Sequence, residues 1–441
     1  MTVASLCNDI LVLAVFLLVG FFVRELCKPL QKLFLPSSLI GGLILLLLGQ
    51  QVLGVVEVPE SFSSIPSVMI DIVMAATVFG VTINRKKIGS YLDYSCMTMT
   101  SYGMQLGLGV FLGWLLQKVW PGLPDGWGVM GVFSFHGGHG TAAAAGAAFE
   151  KLGIEGNMAV GMVLSTLGLI VAMLVGMIMV NFGIRKGWGT YVKEPKKQPD
   201  YFYGGVLPEE KRVASGHPVT TGISINHLAL QVAWLLTALF IGRKLFGLLG
   251  AYIPFFNELP SVLHGIFGGA ILWQLLKVTK LERYVDLKTI KMASGFCLEI
   301  TVFTAMAPLD MEFVSTYIVP VLIYTVILAV LTVPLIFYLA YRFCREEWFE
   351  KACMAFGAAT GNTSTGLALV RAVDPDSLSS AGDTHGVYSA IMSWKDVFVG
   401  LTPIWLTSGI GLTCGVGFAM MFGFAAFGFI FFARKNKQTA A

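Results

Sequence analysis

The chain is a succession of apolar runs separated by short polar breaks. Runs at roughly 6–23, 36–55, 67–84, 95–119 and 156–182 predict membrane-crossing helices, and a second set follows at roughly 226–245, 260–278, 291–308, 315–341 and 387–408. About 20 predominantly apolar residues suffice for one crossing. A last run, about 411–432, ends at Arg434, Lys435 and Lys437. Two stretches, near 126–150 and near 352–372, interrupt this pattern with His136-Gly137-Gly138-His139-Gly140-Thr141 and Gly361-Asn362-Thr363-Ser364-Thr365-Gly366. They are too polar for ordinary spanning helices. Backbone at membrane depth that lacks helical hydrogen bonds must be buried in protein or line a cavity. Each stretch is therefore read as a re-entrant hairpin that contributes to a site.

Charge suggests a topology. Arg24, Lys28 and Lys32 follow the first run, Arg85, Lys86 and Lys87 the third, and Arg185 and Lys186 the fifth, while Glu57 and Glu60 fall in an opposite loop. Basic loops favour the cytoplasmic side, so the N-terminus is expected outside. The assignment requires 126–150 to enter and leave on one side, since a full crossing there would carry Arg185 and Lys186 outside. The polar stretch 185–225 also holds Lys193, Lys196, Lys197, Lys211 and Arg212, and reads as a cytoplasmic linker. It separates a first membrane repeat, 1–184, from a second, 226–408; residues 409–441 add a helix and a basic tail that ends in the cytoplasm.

Composition agrees with a membrane protein and excludes much else. Hydrophobic residues make up 56% of the 441, and charged residues fall to 13%, against about 25% in soluble domains; the mean hydropathy is +0.75. The runs leave no room for a soluble catalytic domain. No basic segment precedes the first run, so a cleaved signal peptide is not expected. A net charge of +4 needs no acidic partner and no nucleic acid, because positively charged inner loops account for it. The seven cysteines (Cys7, Cys27, Cys96, Cys297, Cys344, Cys353 and Cys414) show no C-x-x-C pairing and read as packing residues.

An internal repeat ties the two interruptions together. Leu35-Pro36-Ser37 recurs as Leu259-Pro260-Ser261, Leu39 and Gly41 as Leu263 and Gly265, Thr77-Val78-Phe79 as Thr301-Val302-Phe303, and Gly137 and Thr141 as Gly361 and Thr365, all at one offset of 224 residues. Each half holds an odd number of crossings plus a hairpin, so the halves must be inverted. The fold class is thus an all-α polytopic membrane protein of two inverted five-helix repeats, each with a re-entrant hairpin, plus an extra C-terminal helix. Interrupted segments at corresponding positions of inverted halves point to a transporter's binding site.

The chemistry of such a site lies largely in its backbone. N–H groups at a half-helix N-terminus favour an anion, while unwound carbonyls coordinate Na⁺. Candidate substrate-binding residues are Gly137, Gly138, His139, Gly140 and Thr141 in the first hairpin and Gly361, Asn362, Thr363, Ser364 and Thr365 in the second. Their hydroxyl and amide groups also serve as helix caps, which is the bland alternative for each.

These motifs, with the Pro36/Gly41-Gly42 helix and the central linker, resemble the bacterial glutamate:sodium symporter family over roughly 1–408. The resemblance implies secondary transport of an acidic amino acid with Na⁺ in the bacterial inner membrane, commonly by a homodimer and with no cofactor beyond the coupling ion. Ser364 departs from the family's usual proline, and the segment after about 411 looks like an addition. Asp396 matches an acidic position in the family and is a candidate Na⁺ ligand, within an apolar helix where Lys395 cannot be its same-face partner. Thr77 and Thr301 are candidate pathway hydroxyls and, with Asp396, candidate ion-binding residues; Asp71 and Glu299 are expected to be solvated near helix ends. His136 and His139 lack further ligands for a metal. Arg371 could meet a carboxylate or anchor its hairpin. Other readings are an organic-anion symporter coupled to Na⁺ or H⁺, and a membrane-embedded hydrolase using Ser134 or Ser364 with a histidine. The inverted repeat disfavours the hydrolase, since it accounts for both hairpins at once.

Overall fold

The computed structural model describes residues 3–33, 35–80, 91–192, 208–212, 214, 216–253, 256, 261–309, 311–374 and 378–433. Arg85, Lys86, Lys87, Lys193, Lys196, Lys197, Leu259, Pro260, Arg434, Lys435 and Lys437 lie outside the described residues, as do the side chains of Lys32, Thr77, Lys211 and Ser364.

Helices joined by turns make up the described chain, with no strand among the described residues. The first half contains α1 (Val3–Leu26), the short α2 (Lys28–Lys32), α3 (Ser37–Leu48), α4 (Ile65–Thr77), α5 (Leu92–Val119), α6 (Met130–Lys151) and α7 (Asn157–Arg185). The second contains α8 (His227–Tyr252), α9 (Ser261–Val278), α10 (Leu287–Met306), α11 (Met311–Phe343), α12 (Trp348–Thr360), α13 (Thr363–Val373), α14 (Ala381–Ile391) and α15 (Val397–Thr407), and α16 (Gly411–Phe431) follows. Six segments among the described residues are long and apolar enough to cross a membrane: Ser5–Leu26, Asn157–Arg185, His227–Tyr252, Leu287–Met306, Val314–Phe343 and Gly411–Phe431. The chain is a multi-pass helical membrane protein. α5 is equally long but carries Thr98, Ser101 and Gln105 in its buried portion, which lowers its hydropathy.

Three apolar runs differ from the helices they give. The run at 36–55 gives only the 12 residues of α3, because the chain leaves helical geometry at Gly49 and turns back, with Gly54 N donating to Gly49 O at 2.8 Å. The run at 67–84 gives α4, which starts two residues earlier and ends at Thr77. The run at 387–408 is two helices: α14 already begins at Ala381, and a 3-10 turn at Ser393–Asp396 separates it from α15. Hydrophobicity records removal from water rather than helical continuity.

Close backbone approaches sort the helices into two groups. In one, α3 lies between α1 and α10; a Cβ added at Gly41 would stand 2.4 Å from Phe16 O, and one at Gly42 2.9 Å from Phe303 O. Similarly α9 lies between α8 and α4, with Gly268 against Ala238 O and Gly265 against Asp71 O. The other group gathers α5, α7, α11 and α16 around α6 and the α12–α15 segment. Its tightest crossing is that of α5 and α16, where Gly103 and Gly107 meet Gly417, a small-residue contact of the kind that lets membrane helices approach closely. At one end a cavity of about 1060 Å³ separates the groups, with Phe62, Pro66 and Thr304 on one wall and Ala147 and Met158 on the other.

At the opposite end of α10, Asp286 caps the helix and accepts from Thr289 N (3.2 Å), Thr289 Oγ1 (2.6 Å) and His217 N (2.9 Å). It precedes the spanning segment. Burial raises its pKa, but these hydrogen bonds outweigh burial and hold the carboxyl at about 2, below the ordinary 3.8. A folded value below the unfolded one means that the stabilisation is complete above the unfolded pKa and is lost as pH falls through the folded one. Asp286→Ala should therefore destabilise the protein by about 1 kcal/mol near neutral pH. Thermal unfolding in detergent should show the gap to wild type closing as pH falls toward about 2; a gap independent of pH would contradict the capping assignment.

Candidate functional site

α6 is broken at Gly138, whose φ of 63° and ψ of −159° belong to a region open essentially to glycine alone. The two halves fold back on each other. Met130 Cε and Ala142 Cβ both face Gly161 of α7, at 2.5 and 3.1 Å from the position of an added Cβ, whereas one straight helix would hold residues 130 and 142 about 18 Å apart. The ends of the segment also meet: Gly126 packs against the Phe149 ring, and Asn157 Nδ2 donates to Asp125 O at 3.0 Å.

The second interruption is built in the same way from different parts. α12 ends at Thr360, and Asn362 begins α13 with a reciprocal cap: Asn362 Oδ1 accepts from Thr365 N (2.9 Å), and Thr365 Oγ1 accepts from Asn362 N (3.0 Å). Gly357 and Gly366 bring the two helices into contact, an added Cβ on the first lying 2.6 Å from Cα of the second. At the open end Glu347 accepts from Ser380 N (2.8 Å) and Ser380 Oγ (2.6 Å), and from the Tyr191 hydroxyl. The two ends of this segment therefore adjoin.

The two breaks touch. A Cβ on Gly138 would lie 3.2 Å from Gly361 O and 3.6 Å from Asn362 Cβ. α7 fastens both, through His139 Nε2 to Thr166 Oγ1 (3.1 Å) and through Gly168, which packs against Thr360 O and the Phe135 ring. Gly137 and Thr363 remain exposed, and Thr141 and Asn362 are half-buried. C-terminal helix ends at Gly137 and Thr360 and N-terminal ends at His139 and Thr363 therefore converge, which supplies carbonyls for a cation and N–H groups for an anion at one place.

The candidate side chains divide by how their hydrogen bonds are used. Thr365 is fully buried, and its hydroxyl serves Gly357 O and Asn362 O at 2.8 Å each, so it closes the turn. Thr301 is also fully buried and donates to Cys297 O at 2.8 Å. Thr141 donates to Gly137 O across the first break at 3.3 Å. Gly140 packs on Leu298 of α10, which brings the first break against the other helix group. His136 and His139 do not converge: His139 turns to Thr166, and the His136 ring sits edge-on to Tyr102 with centroids 5.2 Å apart.

Two acidic residues depart from expectation. Asp396 closes the 3-10 turn instead of lying inside a helix, and it does pair with Lys395, whose Nζ stands 3.0 Å from Asp396 Oδ1. The 100° argument fails because the turn is not α-helical and the lysine chain is long enough to reach round. Asp71 is 1% exposed, not solvated, because α4 starts early enough to put it mid-helix and α9 crosses over it; Arg243 Nη2 stands 3.4 Å from its Oδ2.

Sequence reasoning missed the polar cluster behind Thr363. Its Oγ1 lies 3.2 Å from His385 Nε2, and His385 Nδ1 lies 2.9 Å from the Tyr94 hydroxyl. The Tyr388 ring packs on His385, and the Lys395 ammonium sits 5.7 Å from the Tyr102 ring centroid. A usable signal was present: Tyr94, Thr98 and Tyr102 fall four residues apart along one face of α5, and His385 and Tyr388 share a face of α14.

Two broken helices meeting inside a multi-pass helical protein are an arrangement that suits a membrane transporter. The chain belongs to the sodium/glutamate symporter family, whose model matches residues 3–374. It is accordingly a Na⁺-coupled transporter. The match ends at the C-cap of α13, short of the resemblance read to about 408, so α14, α15 and α16 lie beyond it. A comparison with curated proteins returned no match to this chain.

Gly138→Ala should cost about 1–3 kcal/mol from backbone strain alone and abolish transport, because the new Cβ meets Gly361 O. Wild-type uptake and melting in that variant would refute the break as the functional contact. Thr365→Val should lower stability by about 0.5–2 kcal/mol through loss of the cap, whereas Thr365→Ser should retain it; equal melting temperatures for both variants would refute the capping role.

Proposed function

We propose that this transporter carries glutamate, or a closely related acidic amino acid, inward together with Na⁺ by alternating access. The observation that supports this reading is the contact between Gly138 and Gly361–Asn362, where two broken helices present N–H and C=O groups to one space. The substrate carboxylate takes N–H groups around His139-Gly140-Thr141 and Thr363-Ser364. Carbonyls at Gly137 and Gly361 serve Na⁺, with Asp396 as the charged oxygen ligand.

In this reading 1–184 and 226–408 are inverted five-helix repeats, and their hairpins enter from opposite faces of the bacterial inner membrane. The N-terminus is outside, while the linker 185–225 and the C-terminus are cytoplasmic. The large cavity is then the external vestibule, because Ala147 and Met158 on its wall flank the open end of the first hairpin. The group holding α3 and α9 is the fixed scaffold. Its outward apolar residues on α1, including Ile10, Leu18 and Phe22, suit a homodimer contact. Hairpins and their following helices move against it.

Uptake of labelled glutamate, aspartate and other dicarboxylates into proteoliposomes, with Na⁺ and pH gradients imposed separately, tests the reading. Glutamate accumulation is expected under an inward Na⁺ gradient at constant pH. Uptake indifferent to Na⁺ would refute the coupling, and no uptake of any acidic amino acid would refute the substrate.

A further inference from the structure

The Lys395–Asp396 pair occupies a particular place. It stands on the 3-10 turn that interrupts α14 and α15, whereas the equivalent positions of the first half, Val171 and Ala172, lie in the unbroken α7. One aromatic ring separates Lys395 from the first break, since Tyr102 lies against both its ammonium and His136. Tyr388 packs on His385, which bonds Thr363 at the second break. Both charged side chains keep some access to solvent, at 16% and 22% exposure.

We propose that Lys395 and Asp396 form an exchange pair that couples anion binding to cation binding: the substrate carboxylate takes Lys395 Nζ from Asp396, and the freed Asp396 carboxylate becomes a ligand for the cation. This rests on the reading of the protein as a Na⁺-coupled carrier of acidic amino acids. The electrostatics select which forms can cross. Empty, the pair is locally neutral; with one carboxylate and one Na⁺ bound it is neutral again. With the anion alone Asp396 has lost its counter-ion, and with Na⁺ alone Lys395 has lost its own. An uncompensated charge in a low-dielectric interior is costly, so half-loaded forms are held back. Linkage requires the effect to be reciprocal: each ligand strengthens the other's binding by the same factor.

Glutamate binding to the purified full-length protein at a series of Na⁺ concentrations tests this. Wild type should bind glutamate more tightly as Na⁺ rises. Asp396→Asn should bind it with an affinity that no longer responds to Na⁺, because Lys395 is already released, while Asp396→Glu should keep the response. Lys395→Gln should weaken glutamate at saturating Na⁺ by about tenfold or more, yet bind Na⁺ without glutamate at least as well as wild type, and Lys395→Arg should recover glutamate affinity. Melting curves for the conservative variants guard against misfolding. Wild-type Na⁺ dependence in Asp396→Asn, or wild-type glutamate affinity in Lys395→Gln, would overturn the exchange pair alone. Absence of any linkage between Na⁺ and glutamate in the wild type would overturn the transport reading, and the pair with it.

Discussion

A left-handed glycine pressed against a carbonyl oxygen governs the rest of this structure. At Gly138 the chain takes a conformation that side chains resist, and it does so where Gly361 O stands close by. Breaking a helix in an apolar surround frees backbone groups that cost several kcal/mol each if nothing satisfies them, by order of magnitude. The fold answers locally. Asn362 and Thr365 cap one break reciprocally, Thr141 reaches across the other to Gly137 O, and α7 packs on both. The groups left over are those nearest the exposed Gly137 and Thr363. Structural capping and ligand binding thus draw on one stock of polar atoms, and the caps determine what remains for a ligand.

The two breaks are equivalent in position but not in chemistry. His139 and Thr363 lie 224 residues apart, each just past a break, and each bonds the helix that follows: His139 to Thr166, Thr363 to His385. Histidine and threonine have exchanged sides. In the first half the donor–acceptor pair is held by a continuous helix. In the second, His385 belongs to α14, which ends at a turn carrying Lys395 and Asp396. The charged pair thus lies on one side of the contact between the breaks and has no counterpart in the unbroken α7.

Apolar runs and turn residues made the membrane class, most helices and both interruptions legible, because removal from water and glycine-rich breaks leave marks in the sequence itself. Helix ends inside apolar runs were not legible: nothing in Ser393-Trp394-Lys395 announces a turn, since it holds neither glycine nor proline. For the same reason Asp396 was assigned to a helix interior and its bond to Lys395 was dismissed. The Tyr94–His385 contact joins residues 291 apart, and no local pattern carries such a pairing. Threonines proved ambiguous in the expected way. Thr365 and Thr363 look alike in sequence, yet one is fully buried in a cap and the other exposed at the break, a difference set by about half a turn of helix phase.

The C-terminal helix is tied to this arrangement through α5. Gly417 of α16 meets Gly107 so closely that no side chain fits between them, and Gly103 of α5 packs equally tightly on the backbone near Met421. Further along, Gly428 of α16 rests against the Phe343 ring of α11. α5 in turn carries Tyr94 and Tyr102, which contact His385 and His136. A displacement of α5 relative to α16 would force glycine backbones through one another, because interfaces of this kind have discrete packings rather than continuous ones. α16 is therefore fixed to α5 and to the breaks that α5 supports. Seated on this group, the C-terminal helix adds to it without crossing the cavity between the two groups.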